Sequence, residues 1–355
     1  MKQAKQPENR EEAWASSLPD SIADVDALEE LLSRPDAATV RDLSNLEGDI
    51  VVIGVAGKIG PTLARMAKRA APDKRVMGVA RFSEAGLREK LEAGGVETIQ
   101  CDLLDPEALS RLPRAENVVF MAGRKFGSSG DEPLTWAMNV HVPGLVADIY
   151  KDARIVAYST GCVYPFVPLS EIGATEETPL DPPGEYANSC VGRERMFEYY
   201  SRKHGTPGRL FRLNYAIDLR YGVLHDLART IRSGEPVDIT TGHVNVIWQG
   251  DSTRFALRAL AHATTPTTPL NVSGPEVFSV AWLARELGRR MGCDVKLVGT
   301  PAETAWLNNS AKAFGLFGYP EVPIAKMLDW VADWVARDMP SLDKPTKFEN
   351  RDGRY

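Results

Sequence analysis

The 355-residue chain has few of the side chains that build metal sites and disulfide networks. Its four cysteines show none of the paired spacings that bind zinc, so we expect reduced thiols and no metal. The five histidines include no HExxH pattern, which leaves a zinc-hydrolase site without support. The net charge of −6 excludes the overall basic surface typical of nucleic-acid-binding proteins, and we expect no nucleic-acid partner.

Long hydrophobic runs are also missing. No stretch of about 18 apolar residues occurs, so we predict no membrane-spanning helix. The N-terminal sequence "MKQAKQPENREEAWASS" is polar and lacks the apolar core of a secretory signal, which favours a cytoplasmic protein by default. The hydrophobic fraction of 43% is nevertheless sufficient for a well-buried core in one large domain or two closely packed ones.

A regular alternation of strand and helix patterns begins at residue 49. The run "DIVVIGV" is typical of a strand buried on both faces, and four further strand patterns, separated by helices, end with "RIVAYST". This alternation predicts an α/β fold: a Rossmann-type doubly wound parallel sheet with a smaller C-terminal substrate-binding lobe. The predicted parts are an N-terminal extension (1–48), a dinucleotide-binding domain (49–215, with 237–275 adding late strands and a helix), the lobe (216–236 and 276–340) and a mobile tail (341–355).

The first strand leads into "GVAGKIG", with glycines at positions 54, 57 and 60. Glycine permits a tight turn and lets the backbone approach a pyrophosphate, while the following helix N-terminus offers amides and a partial positive charge. Because the triplet lies between a buried strand and a helix, it predicts a dinucleotide site rather than a purely structural turn. The predicted contacts in this loop are Gly54, Gly57, Lys58, Ile59 and Gly60.

The end of the second strand bears on the choice between NAD and NADP. An acidic residue there would bind the ribose 2′-hydroxyl, but this chain has "GVARFS". Arg81 is suited to a 2′-phosphate, which favours NADP over NAD; the alternative is a solvated surface arginine. After the third strand, Asp102 is placed to reach an adenine edge, or else to cap a helix.

Two later segments, "STGCVYP" and "GEYANSCVGRE", complete a set of motifs. In this order the motifs resemble the extended short-chain dehydrogenase/reductase superfamily, and specifically its NAD-dependent epimerase/dehydratase family, over roughly residues 49–337. The matching positions are Gly54, Gly57, Gly60, Asp102, Leu103, Ala122, Gly123, Asn139, Thr160, Tyr186, Glu194 and Asp251.

The resemblance implies a catalytic tyrosine, Tyr186, with Thr160 orienting the substrate oxygen and Asn139 nearby. It also implies cofactor contacts from Leu103, Ala122 and Gly123, in addition to Tyr186 itself. The family's lysine, four residues after the tyrosine, is here Cys190, and a thiol is never cationic.

Three interpretations of Cys190 stay open. In the first, the field of the oxidised nicotinamide and another cation, such as Arg193, Arg124 or Lys125, take the place of the lysine. In the second, the chain is a catalytically silent dinucleotide-binding protein, and in the third, Cys190 is a reactive thiol. The resemblance further implies a homodimer and a carbohydrate substrate: a sugar, sugar acid or nucleotide-sugar. The reaction is either an epimerisation or dehydration that regenerates its cofactor, or a net dehydrogenation or reduction. Candidate substrate-lining residues are Arg124, Lys125, Cys162 and Asn214, and further Arg220, His243 and Trp248.

Overall fold

A computed structural model describes residues 18–125, 127 and 130–354. Within these residues the strands are β1 Ile50–Ile53, β2 Val76–Ala80, β3 Glu97–Gln100, β4 Asn117–Phe120, β5 Arg154–Thr160, β6 Val167–Pro168, β7 Gly208–Leu213, β8 Ala216–Ile217, β9 Val237–Asp238, β10 His243–Val244, β11 Ile247–Trp248, β12 Thr268–Val272, β13 Phe278–Ser279, β14 Leu297–Val298 and β15 Thr304–Ala305. The helices are α1 Val25–Leu32, α2 Ala37–Asn45, α3 Gly60–Ala70, α4 Leu87–Ala93, α5 Pro106–Ser110, α6 Glu132–Trp136, α7 Val142–Ile149, α8 Glu185–His204, α9 Val223–Arg232, α10 Gln249–Arg258, α11 Val280–Met291, α12 Ala311–Phe317 and α13 Ile324–Ala336, with a π-helix at Ala137–His141 and a 3₁₀ turn at Gly161–Val163.

The described chain forms a seven-stranded parallel sheet in the order β12-β7-β5-β4-β1-β2-β3. The structure therefore confirms the predicted Rossmann-type α/β fold. The chain runs outward from β1 to β3 and then returns to β4 on the other side of β1, so a crevice opens at the carboxyl ends of these two strands. The predicted site residues after β1 and β4 border this crevice.

Helices cover both faces of the sheet, which explains the continuous apolar runs of its central strands. Ile50 and Val52 of β1 pack with α3 and α10, whereas Val51 and Ile53 pack with α7 and α8 on the opposite face. A further apolar cluster lies in the smaller lobe, around the fully buried Trp330. Among the described residues, none of the helices combines the length and the apolar character needed to cross a membrane.

The segments before and after these elements pack against the body. Leu28, Leu31 and Leu32 of α1 are buried in the apolar cluster of the lobe. The sequence predicts a mobile tail after residue 340, whereas the described tail residues 341–354 lie against the body and bury Phe348 in the same cluster. Hydrogen bonds of the tail backbone, which sequence periodicity does not reveal, account for part of this packing.

Candidate active site

The sequence predicts three glycine positions in the loop after β1, and at two of them the backbone leaves no room for a larger residue. Gly54 has φ +88°, and a Cβ there would lie 2.6 Å from the backbone nitrogen of Ala122. A Cβ at Gly60 would overlap the carbonyl oxygen of Val55, whereas a Cβ at Gly57 would meet its nearest neighbour only at 3.5 Å. Gly54 and Gly60 thus shape the turn, and Gly57 leaves the backbone accessible from the crevice.

The first turn of α3 faces the same crevice. Its N-cap residue, Ile59, makes no side-chain capping hydrogen bond, and Pro61 follows at the start of the helix. An uncapped helix N-terminus with a close backbone approach is the arrangement that binds phosphate groups. The loop and the helix start therefore fit the pyrophosphate of a dinucleotide.

A cleft of about 1160 Å³ extends from this loop across the ends of the neighbouring strands. Gly57, Lys58, Arg81 and Gly123 line it. The exposed Arg81 is thus available to a ligand of the cleft. Its position agrees equally with binding a 2′-phosphate and with a solvated arginine.

Asp102 and Leu103 have local structural roles. One carboxylate oxygen of Asp102 accepts a hydrogen bond from the backbone of Leu104 at 3.0 Å, which closes the turn after β3. Leu103 is buried in the core beneath the sheet, as is Ala122 after β4. Within this turn it is Leu104 that lines the cleft.

Asn139 lies at the centre of a buried polar network. It belongs to the π-helix, a distortion that often marks a functional position. Its side-chain oxygen accepts hydrogen bonds from the Arg124 backbone amide and from Arg193 Nη2, each at 2.8 Å. Its amide nitrogen donates to the Arg124 carbonyl and to Ser189 Oγ, each at 2.9 Å. Asn139 thereby joins the segment after β4 to α8.

Arg193 is a buried cation close to the catalytic tyrosine of the motif. Besides Asn139, its guanidinium donates to the carbonyl of Tyr158 at 2.9 Å, while Nε has no hydrogen-bond partner among the described residues. The guanidinium fills the space next to Gly123, where a Cβ would overlap Nη2. Gly123 is therefore needed to accommodate Arg193.

Tyr186 and Cys190 contact each other on α8. A hydrogen bond joins their side chains, and Tyr186 also packs beside Cys162. Burial raises the pKa of Tyr186 well above its ordinary value and raises the pKa of the Cys190 thiol. The positive charge of Arg193 acts in the opposite direction on both groups. Both side chains are accordingly neutral near pH 7.

Two lysines approach this region from other segments. Lys125 donates to the carbonyl of Thr346 in the tail at 3.3 Å, and its Nζ lies 6.0 Å from the ring centroid of Tyr186. Lys58 Nζ lies 3.2 Å from the ring centroid of Tyr221. Burial lowers the pKa of Lys125 and, together with the charges of Lys125 and Lys344, lowers the pKa of Lys58 to about 7.

The remaining predicted residues divide into two groups. Thr160 ends β5, where its hydroxyl accepts a hydrogen bond from the Cys162 amide at 3.1 Å. Asn214 is buried and donates to Asn245 and to the carbonyl of Trp306, which makes it part of the packing beneath Gly161. Thr160 is thus the last residue of β5 and Cys162 lies in the turn that follows, while Cys162 and Asn214 are both buried.

Three further candidate lining residues have different surroundings. Arg220 lines the cleft. His243 belongs to the short pair of β10 with β13, and Trp248 is buried against Trp330 in the lobe, with ring centroids 5.3 Å apart. Trp248 is therefore a core residue and not a substrate contact, because its ring is 1% exposed.

Sequence reasoning missed a buried ion pair behind the site. Arg212 on β7 pairs with Glu194 on α8 at 2.6 Å, and Glu194 also accepts from Ser159 Oγ at 2.5 Å. Glu194 matches the family motif, but its partner lies on a strand whose alternating pattern gives no sign of a buried arginine. Among the described residues, no three His, Cys, Asp or Glu side chains lie close enough together to bind a metal ion.

Sequence comparisons identify a matching family. A model of the NAD dependent epimerase/dehydratase family matches residues 50–272. A dTDP-glucose 4,6-dehydratase of Mycobacterium tuberculosis is 28% identical over 165 residues, which are 44% of this chain and 50% of that enzyme. The chain thus spans about half the length of the curated relatives it matches.

Solved structures share the fold. A UDP-glucuronic acid 4-epimerase of Bacillus cereus, in complex with NAD, has a TM-score of 0.68 at 19% identity and covers 81% of this chain and 99% of its own. A dTDP-glucose 4,6-dehydratase of Streptomyces venezuelae, with NAD and TYD bound, has a TM-score of 0.68 at 21% identity and covers 82% of this chain and 97% of its own. Since the family model matches more than half of the sequence, the chain belongs to the NAD-dependent epimerase/dehydratase family.

Proposed function

We propose that the chain is an NAD(P)-dependent enzyme of the epimerase/dehydratase type that acts on a carbohydrate, with Tyr186 as its proton carrier. The observation that carries this proposal is the buried Arg193, which is fixed by Asn139 and the Tyr158 carbonyl one helical turn beyond Cys190. Its permanent positive charge opposes the effect of burial on Tyr186, which is the electrostatic part of the lysine's role.

The cofactor would be held by the loop of Gly54, Gly57 and Gly60 and by the start of α3. When bound, a nicotinamide dinucleotide supplies the redox partner for a sugar hydroxyl or its keto form. The sequence at the end of β2, with Arg81 and no acidic residue to bind a ribose 2′-hydroxyl, favours NADP, whereas the similar structures of the Bacillus and Streptomyces enzymes contain NAD.

In this proposal the protein's own groups hold and move one proton. Tyr186, neutral because it is buried, donates a proton to a developing alkoxide, or accepts one from a hydroxyl when the cationic field favours tyrosinate. Thr160, at the end of β5, orients the substrate oxygen. The raised pKa of the buried Cys190 argues against a thiolate nucleophile, since the thiolate is the reactive form.

A nucleotide analysis followed by a sugar panel tests the function. Freshly purified protein is denatured, and released nucleotides are identified by mass spectrometry. The folded protein is then given glucose, glucuronate, UDP-glucose and UDP-glucuronate, and both product formation and nicotinamide reduction are followed. Retained cofactor with no net reduction supports an epimerase or dehydratase, and released reduced cofactor supports a dehydrogenase.

Substitution of the proton carrier gives the decisive comparison. We expect Tyr186→Phe to lower turnover by roughly 10²-fold or more, because the hydroxyl is removed, while cofactor affinity stays within a few-fold of wild type. Tyr199→Phe, on the exposed face of α8, is the matched control and should leave turnover unchanged. Full activity in Tyr186→Phe would refute the assigned role of the tyrosine.

We also propose that the chain forms a homodimer. Trp136 at the end of α6 and Tyr199 on α8 are large apolar side chains that remain 39% and 57% exposed on the helices the resemblance assigns to a dimer contact. Sedimentation velocity of the wild type and of a Tyr199→Glu variant tests this. A monomer in both cases would contradict the proposed dimer.

A further inference from the structure

Segments outside the matched sequence region also form part of the dinucleotide cleft. Val25, Asp26 and Glu29 of α1 line it, and so do Ser341, Leu342 and Lys344 of the tail. These residues share one cleft with Gly57, Lys58 and Pro61 of the phosphate-binding loop. The cleft is therefore enclosed by the sheet edge and by two segments that lie more than 300 residues apart in sequence.

Arg220 connects these two segments. Its Nη1 contacts Glu29 Oε1 at 2.7 Å, and its carbonyl oxygen accepts a hydrogen bond from the Leu342 amide at 3.1 Å. Asp218 fixes the guanidinium through Nη2 at 2.7 Å and Nε at 3.1 Å. The Arg220 side chain is only 11% exposed, so water screens its ion pair with Glu29 weakly.

The α1 side of this connection reaches the phosphate-binding helix itself. The second carboxylate oxygen of Glu29 lies 3.5 Å from the hydroxyl of Thr62, in the first turn of α3. Leu28 of the same helix is buried in the lobe cluster, which keeps α1 in this position. Glu29 is thus placed between the lobe and the start of α3.

The tail is anchored at several points between residues 342 and 353. Thr346 donates to Asp226 through its amide at 2.7 Å and its hydroxyl at 2.5 Å. Phe348 is buried, and Arg351 donates to the carbonyl of Thr304 at 2.8 Å. At its far end, Gly353 contacts Gly184, at the start of the helix that carries Tyr186, so closely that a Cβ on Gly184 would lie 2.5 Å from the Gly353 carbonyl oxygen.

From these contacts we infer that Glu29, Arg220 and Leu342 form a clasp across the dinucleotide site, and that this clasp retains the bound cofactor between turnovers. The inference rests on the proposed function in one respect, namely that the ligand of the cleft is a nicotinamide dinucleotide. In this inference the Glu29–Arg220 ion pair and the Arg220–Leu342 hydrogen bond hold α1 and the tail beside the cleft, and loss of either contact speeds cofactor release. Arg220 and Glu29 are therefore positioning residues in this inference: they hold α1 in place and slow the release of the cofactor.

The test measures cofactor release and needs no substrate. The purified 355-residue chain is loaded with NADPH or NADH, the reduced cofactor is displaced by excess oxidised cofactor, and its fluorescence is followed by stopped flow. The variants are Arg220→Ala, Arg220→Lys, Glu29→Gln and a chain that ends at Pro340. Arg229→Ala is the matched control, because it breaks an exposed ion pair with Asp343 on the tail and leaves the clasp intact.

We expect Arg220→Ala to speed release by roughly 10-fold or more, since the largely buried ion pair that holds α1 beside the cleft is lost. Glu29→Gln should give a smaller increase, Arg220→Lys should restore part of the retention, and Arg229→Ala should stay within about two-fold of wild type. Hydrogen exchange at the Leu342 amide should slow when NADPH is added to the wild-type chain, and should slow less in Arg220→Ala, because a contact unrelated to the clasp would respond equally in both.

Two outcomes would overturn the inference, and they differ from each other. If folded Arg220→Ala and Glu29→Gln release cofactor as slowly as wild type, the clasp is refuted while the proposed function stands. If the wild-type chain binds neither NADPH nor NADH, the proposed function fails and the clasp fails with it. Should the shortened chain not fold because it lacks Phe348, the two point variants still decide the question.

Discussion

The loop around Gly54 and Gly60 takes its shape from backbone contacts with the strands and loop beside it, whereas the surroundings of Tyr186 combine residues of its own helix with residues of other segments. Arg193 lies on the same helix α8, two turns after Tyr186, while Asn139 comes from the π-helix and Lys125 from the segment after β4. The first region follows its family's sequence pattern and the second departs from it at Cys190. Among the described residues, Gly57 of the loop and Lys125 near the tyrosine line one cleft, which Tyr186 and Cys190 themselves do not line.

The difference reflects what each ligand group requires. A pyrophosphate is bound by backbone amides, so the loop must have one particular backbone path, and only certain residues permit it. A catalytic pKa depends on the summed field of nearby charges, and a charge can come from any segment that reaches the site. The phosphate-binding loop is therefore constrained in sequence, while the cation beside the tyrosine can change its position in the chain.

The largest expected effect lies in the loop. We predict that Gly60→Ala abolishes cofactor binding and lowers the free energy of unfolding by about 1–3 kcal/mol or more, because the new methyl group would overlap the Val55 carbonyl. Gly57→Ala is the matched control for the fold, as a Cβ at that position meets its nearest neighbour at 3.5 Å. Chemical denaturation and NADPH titration of both variants provide the measurements.

The two loop variants distinguish the effect of the loop's backbone conformation from the effect of cofactor access to that backbone. Gly57→Ala should unfold like wild type and yet bind NADPH more weakly, since the methyl group narrows the approach to the backbone. Wild-type stability in Gly60→Ala would contradict the idea that backbone contacts alone fix the loop.

A smaller effect on turnover is expected when the cation near Tyr186 is removed. Arg193→Met should lower turnover by roughly 10- to 100-fold, because the buried positive charge that favours tyrosinate is lost. Removal of that charge raises the pKa of Tyr186, so the rising limb of the kcat/KM profile should move to higher pH. Arg193→Lys should restore part of the turnover and move the rising limb part of the way back to lower pH.

Arg195→Met is the control for this experiment. Arg195 is an exposed arginine on the same helix that pairs with Glu198, and its loss should change neither turnover nor the pH profile. An unshifted profile in Arg193→Met would assign the role of the missing lysine to another cation, with Lys125 as the next one to replace.

The same contrast explains which parts of the molecule the sequence predicts. The order of strands, the glycine loop and the placement of Thr160 and Tyr186 follow from local patterns and family motifs, because each is encoded within a few neighbouring residues. The packing of the tail, the pair of Arg212 with Glu194 and the burial of Trp248 depend on contacts between segments far apart. Single-sequence periodicity carries no information about such partners. For the same reason the sequence alone does not distinguish Arg193 from Arg124 and Lys125 as the cation near Tyr186.

The smallest effect is expected at Cys190, where the departure from the family motif is most visible. If the positive charge comes from Arg193, the thiol contributes only packing and its hydrogen bond to Tyr186, so Cys190→Ala should change turnover by less than about three-fold. Loss of the buried sulfur should still lower the free energy of unfolding by about 1 kcal/mol. Cys293→Ala, at a partly exposed cysteine in the lobe, is the control for stability and activity. Complete inactivation of Cys190→Ala with an intact fold would instead identify the thiol as a reacting group. The tyrosine region would then differ from the phosphate-binding loop in its use of a nucleophile, and not in the source of its positive charge.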